Sequence, residues 1–223
     1  MRLLLVFEMK PRLRHLGHLD LMRTMQRALR RSGLPIAYSQ GYNPHVLLNF
    51  ASALSVGING EQEIMDVPVT VDTDPAEAVQ RMNTVLPVGL RVLRAVAVED
   101  RHPSVTSLME AAVFRFSWQR VEDAETVAGS LPAFLMQESI LADRKSKSGI
   151  IRCDILPLMQ QVHMDGDCLV ATLIQSGQNQ CKPAMLLSAL ANFTGKENLP
   201  VRVTRVQLLG RNADQQLVPL ETV

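Results

Sequence analysis

Three of the chain's five histidines, His15, His18 and His45, fall in one short segment, residues 14–45. The same segment holds Arg14, Arg23, Arg27, Arg30 and Arg31, both tyrosines (Tyr38 and Tyr42), Asn43, and a single acidic residue, Asp20. An imidazole near neutral pH can donate or accept a proton, bind phosphate or ligate a metal. Guanidinium groups grip phosphate, and tyrosine rings stack on unpaired bases. The set therefore suits RNA or phosphate binding through Arg14, His15, His18, Arg23, Arg27, Arg30, Arg31, Tyr38, Tyr42, Asn43 and His45. It also contains the parts of a metal-independent RNA-cleaving site, with His15 or His18 working with Tyr42. The bland alternative is that His15 and His18 cap a helix and His45 packs in a turn. A metal set of His15, His18, Asp20 and His45 rests on residue type alone, without fixed ligand spacing, so no metal and no cofactor is expected.

A second basic run, "DRKSKSGIIR", supplies Arg144, Lys145, Lys147 and Arg152 around a glycine turn, which could hold a phosphate backbone or form a hairpin tip. Motifs for the common nucleotide-driven and hydrolytic enzymes are missing: there is no phosphate loop, no dinucleotide fingerprint, no HExxH and no GxSxG. Cys153, Cys168 and Cys181 are odd in number and widely spaced. That fits free thiols in a reducing compartment rather than a disulfide frame, a metal site or an iron-sulfur cluster.

The elements that would position these residues can be read from periodicity. "LLLVF" is a short apolar run expected to form a strand buried on both faces. From His18 to Ser32 the period is helical, with Leu21, Met22, Met25, Ala28 and Leu29 on one side and Arg23, Arg27, Arg30 and Arg31 on another. Gly33 and Pro35 end that helix. Strands follow at "IAYS" and "VLLNFA", joined by the loop "QGYNPH". "EIMDVPVTV" reads as a strand whose Pro68 suggests an edge or a bulge. "TDPAEAVQRMNTVL" reads as a helix with Asp74 or Thr73 at its N-cap and Glu77 completing a capping box. "LRVLRAVAVE" closes a β-α-β-β-α-β unit. After a connection through residues 99–110 the order repeats: a strand at "AAVFRFSWQ", a helix from Asp123 to Gln137 that Pro132 should bend, strands around 141–156 and 158–175, a helix from Lys182 to Phe193, and a last strand "VRVTRVQLL". The fold expected is α+β, two tandem ferredoxin-like domains spanning residues 1–100 and 108–223.

Bulk properties agree with such an architecture. The chain has 223 residues, 47% of them hydrophobic, and a net charge of +1, so two compact cores are affordable and no global field attracts nucleic acid or membrane. The balance is uneven along the chain. The first fifty residues are strongly basic, whereas Glu61, Glu63, Asp66, Asp72, Asp74 and Glu77 fall in a stretch with no lysine or arginine. One basic and one acidic face are expected. The opening "MRLLLVFEM" is interrupted by Glu8 and reads as a strand rather than a signal peptide, and no run is apolar enough to span a bilayer, so a cytoplasmic location without membrane contact is expected.

The segment "HLGHLDLMRTMQRALRRSGLPIAYSQGYNPH" resembles the N-terminal signature of the radical SAM-linked proteins, with weaker likeness at "RKSKSGIIRCDILPL" and "VRVTRVQLLG". Val46 and Gly17 depart from the family pattern, which has proline and serine there. The resemblance implies an accessory protein encoded beside, or fused to the C-terminus of, a cobalamin-binding-type radical SAM protein, which would be its partner. A more distant likeness links the tandem ferredoxin-like arrangement to CRISPR repeat-processing ribonucleases, some of which place a histidine near the start of the first helix. Three functions follow as expectations: a non-enzymatic RNA-binding or substrate-presenting partner of a radical SAM enzyme, a metal-independent endoribonuclease, or an interaction module that docks a partner on its acidic stretch.

Overall fold

The computed structural model describes residues 1–146, 149–177 and 180–223, with the side chains of residues 145 and 146 also left aside. It is an α+β fold that divides into two compact units, one of Met1–Met109 with Arg205–Val223 and one of Glu110–Thr204. The sequence placed residues 205–223 in the second half; here they belong to the first unit. The chain leaves the first unit at Met109 and re-enters it inside a single strand.

In the first unit, β1 (Arg2–Met9) carries Leu3 to Phe7 with no solvent exposure on either face. α1 (His18–Arg31) lays Leu21, Met25, Ala28 and Leu29 into the core beside Leu3, Leu5, Phe7 and Met9. Each large side chain buried there contributes roughly 1.5–3 kcal/mol, and that burial decides which way the arginines turn. The helix ends at Gly33, whose φ of +70° suits glycine best. β2 (Asn49–Phe50), β3 (Asn59–Pro68), α2 (Pro75–Val85) and β4 (Leu90–Val98) complete the frame. β1 lies between β4 and β3, β2 lies on β3, and every one of these pairs is antiparallel.

Several local expectations are revised. "IAYS" and "VLLNFA" form only the isolated bridges Ile36 to Val69 and Tyr38 to Val46, plus the two-residue β2. Ile36, Val46 and Leu48 are spent on packing into the α1 core instead. Pro68 is the last residue of β3, opposite Arg2 at the start of β1, where a missing N–H matters least. Asp74 caps α2 by accepting from the Ala76 amide, while Glu77 pairs with Arg81 at 2.6 Å instead of closing a capping box. The connection after β4 contains a short helix, α3 (Val105–Leu108), with Val105 buried.

In the second unit, β5 (Met109–Trp118) pairs with β9 (Cys168–Ile174), which pairs with β8 (Met159–Asp165), all antiparallel. β6 (Leu141–Ser146) and β7 (Gly149–Asp154) form a separate hairpin. The two broad strand regions of the sequence are therefore two hairpins. α4 (Val121–Leu135) and α5 (Pro183–Thr194) meet through the rings of Phe134 and Phe193, 5.4 Å apart. α4 continues past Pro132, which lies in its last turn and forgoes one hydrogen bond there, while Leu131 and Phe134 beside it are buried. β10 (Val201–Arg211) starts in the second unit, where the Gln119 amide donates to the Pro200 carbonyl, and ends in the first, where it pairs with β11 (Leu217–Pro219). No helix among the described residues is long and apolar enough to cross a membrane.

Candidate nucleic-acid interface

The N-terminus of α1 is capped by the backbone of Gly17 alone, with no side-chain bond to the free amides. The histidines are therefore not its caps. The three imidazoles occupy different environments. His15 is exposed in the turn before the helix. His18 is half-buried and set edge-on to the ring of Phe50, with centroids 5.5 Å apart, and Phe50 in turn leans on Phe7 of the core. The His45 ring is held by the Ser39 hydroxyl, 2.7 Å from Nδ1. Among the described residues no three His, Cys, Asp or Glu side chains gather where a metal could sit.

Ser39 and His45 form a clasp. The Ser39 amide donates to the His45 carbonyl at 2.9 Å, the His45 amide donates to Ser39 Oγ at 3.1 Å, and the ring contact makes a third link. A serine hydroxyl beside an imidazole is also the start of a nucleophile-and-base pair. Here the same oxygen is committed to the backbone amide of its partner, and the links close a loop. Gly41 within it has φ of +127°, a conformation that suits glycine alone. Tyr42 projects from the loop fully exposed, and Tyr38 at its base is 43% exposed. Ser39→Ala removes an acceptor and a ring contact from this clasp. It should speed hydrogen exchange at the His45 amide while lowering global stability by no more than about 1 kcal/mol, as measured by exchange and chemical denaturation.

The loop is pinned to α1. Gln26 donates from Nε2 to the carbonyl of Val46, one residue past the clasp, at 3.4 Å. Helical spacing places Arg23 one turn before Gln26 and Arg30 one turn after it, on the same side. Arg23 touches Asp20 at 3.5 Å with both side chains more than 60% exposed, a contact worth little in water. Arg30 is exposed and makes no hydrogen bond or ion pair among the described residues. The remaining cations of the segment are directed elsewhere. Arg27 reaches Thr24, Arg31 donates to the Val85 carbonyl at the end of α2, and Arg14 turns back to Pro11. The four-arginine stripe read from the sequence is thus two outward cations beside the loop, a third on the adjoining face, and one tied to α2. Asn43 is exposed in the loop. Arg144 lies on β6 of the second unit, and Lys147 and the side chain of Lys145 fall outside the described residues.

Two acids of the stretch, Glu63 and Asp66, are consumed internally. Glu63 and Arg205 are buried together in a bidentate pair at 2.8 and 2.5 Å, with Arg205 also donating to the carbonyls of Ser52 and Ala53. Asp66 pairs with Arg2 through two hydrogen bonds, and Asp74 and Glu77 are engaged on α2. Asp72, Asp74 and Glu77 remain exposed, so only part of the expected acidic face is lost to the interior. Among the thiols, burial pushes Cys181 up to about 12, which leaves it protonated and unreactive at neutral pH.

A family model described as "Uncharacterized protein conserved in bacteria (DUF2344)" matches residues 2–183. The chain belongs to this DUF2344 family. The match takes in all of β1, α1 and the clasped loop, so the surface built from Arg23, Gln26, Arg30 and Tyr42 lies within the part that defines the family. No curated protein matches this DUF2344 chain significantly. Sequence reasoning missed Gln26 and Ser39, which close the loop and tie it to α1, and Phe50, which packs on His18. Ser39 and His45, bracketing a loop with Gly41 and Pro44, were the available signal for a closed turn.

Proposed function

We propose that this DUF2344 chain is a non-enzymatic accessory protein that binds RNA through the outer side of α1 and the Ser39–His45 loop, in the service of a radical SAM enzyme of the cytoplasm. The observation that carries the RNA reading is the exposed Arg23 and Arg30 beside the loop, with Arg27 on the adjoining face and only Asp20 to offset them, alongside a pinned loop that offers a free aromatic ring. Support for the radical SAM partner is the likeness of residues 15–45 to the radical SAM-linked signature, together with cysteines too far apart in sequence to hold that enzyme's cluster, so the cluster chemistry would have to come from the partner. The strand neighbours β4, β1, β3 and β2 in the first unit, all antiparallel, favour a ferredoxin-like reading of that unit, and β5, β9 and β8 with α4 and α5 favour the same for the second.

Changing Arg23, Arg27 and Arg30 together to glutamate tests the RNA reading. Three phosphate contacts on a single strand give a slope of log affinity against log salt of about −2. The triple variant should lose at least about tenfold in affinity and most of that slope, with an unchanged thermal midpoint. Salt-insensitive binding that survives the change would overturn the reading. The same incubations in chelator address the endoribonuclease alternative; intact RNA is the expected result.

A further inference from the structure

Building on the RNA reading, we infer that Tyr42 is a base-stacking finger and that the ligand of this surface is single-stranded RNA, its sugar-phosphate chain laid along Arg23 and Arg30. Tyr42 is the most exposed large hydrophobic residue of the protein among those described, at 105% of the reference area, and it contributes nothing to the core. An aromatic ring left wholly in water forgoes the burial that such side chains ordinarily provide.

The backbone beneath the ring is prepared. Three links between Ser39 and His45 close the loop, Gly41 takes a φ open to glycine, and Gln26 anchors the loop's end to α1. A preorganised loop has little order left to gain on binding, so more of the stacking energy becomes affinity. The placement of charge follows from the same anchor. Arg23 and Arg30 flank Gln26 by one turn on either side, so two outward cations straddle the point where the loop meets the helix. Leu19, a turn before Arg23 and 62% exposed, extends this row with an apolar surface.

Duplex RNA keeps its bases stacked inside the helix and offers no face to an inserted ring, whereas an unpaired strand can splay bases onto an aromatic side chain. The ring therefore distinguishes single strands from duplex, while the arginines respond to either.

Three probes on the full chain test this by fluorescence anisotropy: a mixed-sequence single-stranded RNA, its duplex with the complement, and an abasic ribose-phosphate chain of equal length. Tyr42→Ala should lose about tenfold or more in affinity for the single strand and bind the other two probes as the unmodified protein does. Tyr42→Phe, which keeps the ring, should restore single-strand binding. If Tyr42→Ala binds the single strand as well as the unmodified protein, or weakens all three probes equally, the finger is wrong while the RNA reading stands. If the unmodified protein binds none of the probes, the RNA reading falls and takes the finger with it.

Discussion

Replacing Glu63 by alanine should lower the stability of the first unit by about 3–5 kcal/mol, because it strands the Arg205 guanidinium in the core without a counterion. Both side chains of this pair are nearly closed to solvent, at 3% and 4% exposure. Arg205 has other partners, the hydroxyl of Ser52 and the carbonyls of Ser52 and Ala53, but these are dipoles and cannot neutralise a charge. Urea denaturation of the variant should show the midpoint falling. The pair is not itself a large source of stability, since its desolvation offsets most of its attraction. The double change Glu63→Leu with Arg205→Met should therefore recover most of the loss. A Glu63→Ala variant as stable as the parent would mean that the pair is open to water.

Gly60→Ala should also destabilise the first unit, by less, for a steric reason. A Cβ at Gly60 would lie 2.4 Å from Cγ and 2.5 Å from Oε1 of Glu63. Cγ is close to the backbone of a side chain locked by Arg205, so it cannot swing aside cheaply. Overpacking of this sort costs about 1–3 kcal/mol, more than the roughly 0.4–1 kcal/mol gained by restricting the unfolded chain. The diagnostic is non-additivity. In the Glu63→Ala background the obstacle is gone, and Gly60→Ala should then be neutral or mildly stabilising. Equal costs in both backgrounds would show that the strain arises elsewhere.

These two residues also show where sequence reading stops. α1 was legible almost to the residue, because the apolar period of Leu21, Met25, Ala28 and Leu29 and the stop at Gly33 are local signals. β1, α2 and β4 were legible for the same reason. The charge asymmetry was misleading. Asp66 finds Arg2 and Glu63 finds Arg205, partners 64 and 142 residues away, so a run of acids that reads as a surface is partly interior. The loop was found by composition, with its histidine and tyrosines. Its closure by Ser39 and its attachment through Gln26 could not be read, since both depend on where α1 comes to rest. Likewise "VLLNFA" carries a strand's composition but spends Val46 and Leu48 on the helix rather than on a ladder.

The return of Arg205–Val223 to the first unit has a consequence for the newborn protein. Translation delivers Glu63 early and its counterion 142 residues later, a delay of roughly 7–28 s at ordinary elongation rates. Meanwhile the whole of the second unit leaves the ribosome. Completion of the first unit therefore waits until the second has been made, because β10 must follow it from the ribosome.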